Sequence, residues 1–251
     1  MGYLLAVTRT LGIIITYLAF ALFGIFLHIL CPRRKLYHWL SAAAHYLARC
    51  ACFLFNIRIK IVGDRNQAPG ALIVANHVGT PDIFVLASCF PAFFVSKREF
   101  SGWPMLGFLT RLGKTIFVDQ DRRHAVKGTI EEIRGRLSSD LSVALFPEGG
   151  VTDGGEVIPF HTSYFEAAIL SRRPVLPVLI RYHDGRTPSI ACWVNVTFYR
   201  HILALLKNPR LDVTATILPQ VTGTDRRHLA GESFRLLQEE YRRTCKANGI
   251  L

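Results

Sequence analysis

The chain has 251 residues, half of them hydrophobic, and its 30 Lys and Arg against 18 Asp and Glu give a formal net charge of +12. That length allows one large domain plus an appendage, and the charge favours anionic partners such as phospholipid headgroups or phosphorylated substrates. A mean hydropathy of +0.27 is high for a soluble domain. With no Lys/Arg-rich tract and no RNP-type aromatic motif, it argues against nucleic acid as the primary partner.

In chain order, Leu11 to Leu30 is almost wholly apolar, broken only by Thr16, Tyr17 and His28. A helix of that length spans about 30 Å, the hydrocarbon thickness of a bilayer. No small-residue cleavage site follows it, so it is not read as a secretory signal. Pro32-Arg33-Arg34-Lys35 comes next, against only Arg9 before the run, which places the C-terminal side in the cytoplasm. Leu36 to Phe55 is a second apolar stretch carrying His38, His45 and Arg49. It reads as an interfacial helix or as a core helix of the globular part. The expected organisation is a membrane anchor and interfacial helix over 1–56, single-pass or monotopic, and a globular domain over 57–251.

From Ile57 onward short β-branched runs alternate with helical patterns. Strands are expected at Ile57–Val62, Ala71–Ala75, Phe93–Ser96, Thr115–Val118, Ser142–Phe146, Val175–Arg181, Ala191–Phe198 and Leu211–Leu218. Helices are expected from Pro81 to about Cys89, at Trp103–Leu112, Arg122–Leu137 and Ser163–Leu170, and at Asp225–Lys246 with its capping aspartate. The alternation implies an α/β fold: a mixed, mostly parallel sheet flanked by helices, with N-terminal membrane-binding helices. None of the six cysteines forms a CxxC pair or a cluster with zinc-finger spacing. They read as reduced and structural, which fits a cytosol-facing domain, and no metal site is expected.

Three constellations carry chemistry. The first is Asn76-His77-Val78-Gly79-Thr80-Pro81-Asp82, at the mouth of the apolar run Ala71–Ala75. Histidine is the side chain whose unperturbed pKa lies nearest neutrality, and a carboxylate within reach fixes its tautomer for accepting a proton. Nine histidines and nine aspartates give about 0.3 such spacings by chance, and His161 with Glu166 shows the same spacing. Context separates the two: His77 ends a buried strand and Asp82 opens the next helix, so the turn can fold one onto the other. A structural histidine is the competing reading. The second constellation is Phe146-Pro147-Glu148-Gly149-Gly150 with Asp153-Gly154-Gly155, either a glycine-rich anion nest with Glu148 holding a substrate group, or an ordinary turn with a capping acid. The third is basic: Lys97-Arg98 and Arg122-Arg123 each follow a strand end. They suit phosphate contacts at a sheet edge, or are simply a solvated face.

In this order, His77-x4-Asp82, a Gly113…Phe117 block, Phe146-Pro147-Glu148-Gly149 and Val175-Leu176-Pro177-Val178 resemble the glycerophospholipid acyltransferase family, whose typical members are 1-acylglycerol-3-phosphate acyltransferases. The resemblance covers Ile57 to Tyr182. It implies acyl transfer from a thioester, acyl-CoA or acyl carrier protein, to a lysophospholipid hydroxyl at a membrane, without a further cofactor. His77 would be the base and Asp82 its orienting partner. Glu148, Gly149 and Gly150 would meet the acceptor, Lys97, Arg122 and Arg123 the phosphates, and Pro177 would shape the donor side. The implied acceptor is 1-acyl-sn-glycerol-3-phosphate. Alternatives are another lysolipid such as lyso-ornithine lipid, or a non-catalytic lipid-binding protein on the same fold. The chain departs from the family at Gly150-Val151-Thr152, where threonine, arginine and serine are common, at Gln120 in place of arginine, and at His161 in place of lysine. The Asp153-Gly154 pair looks closer to the branch that acylates lyso-ornithine lipid.

Overall fold

The structure, a computed structural model, is described for residues 2–119 and 123–247, with main chain only for 123–125 and 247. Two long helices lead, α1 (Gly2–Leu30) and α2 (Arg33–Leu54), parted at Pro32. The apolar helix thus begins nine residues before the expected Leu11, because Gly2 to Thr10 holds no helix breaker. The elements that follow are β1 (Ile57–Val62), β2 (Leu72–Ala75), α3 (Thr80–Cys89), β3 (Ala92–Lys97), α4 (Leu106–Leu112), β4 (Ile116–Val118), α5 (Arg123–Leu137) and β5 (Ser142–Leu145). The chain continues with α6 (Glu166–Ser171), β6 (Val175–Tyr182), α7 (Phe198–Lys207), β7 (Leu211–Ile217) and α8 (Arg226–Ala247).

The seven strands form one sheet in the order β1-β7-β6-β2-β5-β3-β4. Every pairing is parallel except β6 with β7. The mixed, mostly parallel α/β sheet expected from the alternation is therefore present. β2 is fully buried along its length, as a central parallel strand covered on both faces must be. One apolar core joins the sheet to α2, α3 and α7, and a second joins it to α5, α6 and α8. The chain leaves β2 through α3 to reach β3, stepping over the place that β5 later fills, while β6 joins on the other side of β2. The neighbouring parallel strands β2 and β5 therefore end side by side, at the carboxyl edge where open α/β sheets bind their ligands.

Two expected elements differ. Ala191–Phe198 is not a strand. Its main chain goes to loop contacts instead: Cys192 N–H to the Ser189 carbonyl (2.9 Å) and Trp193 N–H to the Val78 carbonyl (3.0 Å). Asn195 has a left-handed φ of 56°, which ends any ladder, and the amphipathic helix α7 starts at Phe198. The helix expected at Trp103–Leu112 is shortened to α4 because Pro104 and Met105 (φ 59°) turn the chain first.

Candidate active site

The site begins where β2 stops pairing. The Asn76 side chain replaces a main-chain unit in the ladder to β6: its Nδ2 donates to the Ile180 carbonyl (3.0 Å), and Ile180 N–H donates to its Oδ1 (2.8 Å). The backbone is thereby free to turn out of the sheet at His77. Gly79 completes the turn. A Cβ there would stand 2.0 Å from the Ala191 carbonyl oxygen, so only glycine lets the 188–197 loop press against it.

Asp82 sits in the first turn of α3 and is fully buried. Its Oδ2 accepts from Val78 N–H (2.6 Å), from Gly79 N–H (2.8 Å) and from His77 Nδ1 (2.8 Å). Its Oδ1 accepts the Tyr182 hydroxyl at 2.5 Å. An anion at a helix N-terminus bonded to main-chain donors is a stable arrangement. The carboxylate fixes the proton of the imidazole on Nδ1, leaving a lone pair on Nε2. Among the described residues nothing hydrogen-bonds Nε2, and the His77 side chain is 17 % exposed. The ring lies flat on Phe146, with centroids 4.0 Å apart and planes 11° apart, so its plane is set from one face and its rotation from one edge. The tight pairing of His77 with Asp82 expected from the spacing is present.

The β5 exit is tied to the same turn. Glu148 is 5 % exposed; its Oε2 accepts His77 N–H (2.7 Å) and its Oε1 accepts Ile158 N–H (3.2 Å). Burial pushes this carboxyl up to about 7, and the two N–H donors pull the other way. Thr152 N–H then donates back to the His77 carbonyl (2.8 Å). Gly149 has a left-handed φ of 78°, and a Cβ on it would stand 2.8 Å from the His161 ring. Gly150 is exposed, and a Cβ on it would meet nothing within 4 Å. From the other side of the loop the Tyr241 hydroxyl reaches the Gly155 carbonyl at 2.7 Å.

Of the basic residues, Lys97 ends β3 at this same edge, since Phe94 pairs with Ala144 of β5. Arg123 opens α5. Arg122, Gln120 and the side chain of Arg123 lie outside the described residues. Pro177 lies in β6, paired with Val74. His161 and Glu166, the second pair with the same spacing, form no ion pair among the described residues: His161 N–H bonds the Pro147 carbonyl, and Glu166 opens α6. Sequence reasoning missed Asn76, Phe146 as the histidine's ring support, and Tyr182. Asn76 is adjacent to His77 and was open to suspicion. Tyr182 is 100 residues from Asp82, with no local pattern to point to it.

Residues 58–181, which contain both strand exits, match the family model described as Acyltransferase. The chain is 31 % identical to a lyso-ornithine lipid O-acyltransferase of Rhizobium meliloti (strain 1021) over 227 residues, 84 % of this chain and 75 % of that protein. It is 32 % identical to a 1-acyl-sn-glycerol-3-phosphate acyltransferase of Neisseria gonorrhoeae over 155 residues, 61 % of this chain and 59 % of that protein. In fold it is similar to the crystal structure of the 1-acyl-sn-glycerophosphate (LPA) acyltransferase PlsC from Thermotoga maritima, with a TM-score of 0.71 at 19 % identity, covering 97 % of this chain and 98 % of the other. On the alignment to the Rhizobium protein, which spans 84 % of this chain and 75 % of that one at 31 % identity, the chain belongs to the acyltransferase family.

Proposed function

We propose that this protein moves a fatty acyl group from an acyl thioester to the free hydroxyl of a lysolipid, with His77 as general base. The observation that carries the reading is a partly exposed histidine with Nδ1 bonded to a buried carboxylate and, among the described residues, no hydrogen bond to Nε2. Nε2 takes the hydroxyl proton as the acceptor oxygen attacks the thioester carbonyl. The new C–O ester bond forms, the C–S bond breaks, and the imidazolium returns the proton to the departing thiolate sulfur. Asp82 stabilises the imidazolium between those two steps. The thioester itself supplies the activation, so the chemistry calls for no further cofactor. A non-catalytic lipid-binding role leaves the geometry of His77 and Asp82 without a purpose.

Two acceptors fit this scheme, 1-acyl-sn-glycerol-3-phosphate and lyso-ornithine lipid. The longer alignment, to the Rhizobium protein, favours the second. So does Gly150-Val151-Thr152, a stretch without the guanidinium that suits a phosphate monoester.

A membrane-surface location for the reaction is supported by α1. Its outward stripe, Leu4, Leu11, Ile15, Leu18, Leu22 and Ile29, is exposed and recurs at helical spacing. Its other face holds to the domain nearly end to end: buried Arg9 donates to the Asn208 carbonyl past α7 (2.6 Å), and the Tyr17 hydroxyl donates to the Met105 carbonyl (3.1 Å). A helix docked along a domain cannot also stand across a bilayer, so α1 is read as monotopic, sunk by its stripe into the cytoplasmic leaflet.

The test is purified protein on liposomes with acyl-CoA or acyl carrier protein as donor and a panel of lysolipids. Transfer to lyso-ornithine lipid at least about tenfold faster than to lysophosphatidate is expected, together with flotation that survives high salt. No transfer to any lysolipid would overturn the activity, and binding lost at high salt would overturn the placement of α1.

A further inference from the structure

The reading of His77 as base leaves one contact of Asp82 without a task. Three of its four donors, Val78 N–H, Gly79 N–H and His77 Nδ1, converge on Oδ2. The fourth, the Tyr182 hydroxyl, is the donor to Oδ1, at 2.5 Å. Tyr182 closes β6, where the Asn76 bridge to Ile180 fixes the register two residues earlier. The same side chain that releases His77 from the sheet therefore also sets the height of Tyr182 above Asp82.

We propose that Tyr182 is a positioning residue for the acyl-transfer reaction: it acts through Oδ1 of Asp82 to hold the carboxylate plane in line with His77 Nδ1 and to draw off part of its charge. This rests on the general-base reading given above. A carboxylate held only through Oδ2 can swing about its Cβ–Cγ bond, and the imidazole it orients would swing with it. A donor on Oδ1 removes that freedom. It also spreads the negative charge away from Oδ2, which weakens the grip on the imidazolium and eases proton return to the leaving sulfur. Burial and the charge of Asp82 push the Tyr182 hydroxyl well above its ordinary value of 10, so it remains a donor throughout the working range.

Other titratable groups face this cluster from every element packed on it. Cys52 of α2 and Asp184 past β6 face Tyr182. Glu148, Cys192 and His201 of α7 face Asp82. Burial pushes the His201 imidazole down from its ordinary value, which keeps it uncharged near neutrality. Glu148, raised to about 7, also titrates in the assay window, and it is unchanged between the native protein and the Tyr182→Phe variant.

The test is a double-mutant cycle of Tyr182→Phe and Asp82→Asn, assayed for kcat, KM and the pH profile of kcat/KM. In the otherwise unchanged protein, Tyr182→Phe is expected to lower kcat about tenfold with KM within about twofold, and to move the acid limb to higher pH. In the Asp82→Asn background the same change is expected to cost less than about twofold, since the group it acts through is gone. An equal loss in both backgrounds, or an unmoved acid limb, would overturn the proposal and leave Tyr182 a packing residue. Should Tyr182→Phe lower the melting temperature, the acid limb still decides, because lost folded protein scales the profile without displacing it. Full activity in His77→Ala would instead sink the base reading, and this inference with it.

Discussion

The exits of β2 and β5 carry one carboxylate each, within a single turn of backbone, and use them in opposite ways. Asp82 gathers four donors, one of them a side chain that must move protons, and so leaves one imidazole nitrogen defined and free. Among the described residues Glu148 gathers main-chain N–H groups alone, from His77 and Ile158, and fastens two loops together. The residue types are nearly alike; the partners separate an acid that prepares a base from an acid that holds a scaffold. Burial alone does not distinguish them, since both are under a tenth exposed.

This contrast can be broken from either side, and the larger effect belongs to Asp82. Asp82→Asn should lower kcat about 10³- to 10⁴-fold, since the amide presents the wrong partner to Nδ1 and cannot accept from all four donors. Measured with KM unchanged, such a loss places the residue in the transition state; a loss confined to KM would make it a binding residue. Glu148→Gln should instead cost activity modestly and register in stability against pH. The Glu148 carboxyl is raised in the folded chain to about 7 from an ordinary 4.5. A raised group contributes fully below its unfolded value, and the contribution is lost as pH rises through the folded one. The native protein should therefore lose on the order of 3 kcal/mol between pH 4 and pH 8 through this group. Denaturant midpoints should fall across that window more steeply in the native protein than in Glu148→Gln. Parallel slopes would remove Glu148 from the account of the scaffold.

What the sequence made legible follows from range. β2 was readable because Ala71–Ala75 is a continuous apolar run between polar loops, and both its neighbours cover it. His77 and Asp82 were readable because only the four residues Val78 to Pro81 separate them, so a strand exit followed by a helix start is enough to suggest that they meet. The 191–198 segment misled because Ala-Cys-Trp-Val-Asn-Val-Thr-Phe alternates like a strand, while its N–H groups are taken by Ser189 and Val78. Glu148 was visible as a residue but not as a strut, because its two partners arrive from separate loops. Tyr182 and the Asn76 bridge depend on the pairing of β2 with β6, a register that no local pattern encodes.

The central claim is that the free Nε2 of His77 removes the acceptor proton. It is tested most directly by His77→Ala in the liposome assay, with saturating thioester and lysolipid and the melting temperature recorded alongside. The account requires kcat to fall by at least about 10³-fold while the fold and liposome binding stay as they were. A rate within tenfold of the native enzyme, from a folded and membrane-bound His77→Ala protein, would contradict it.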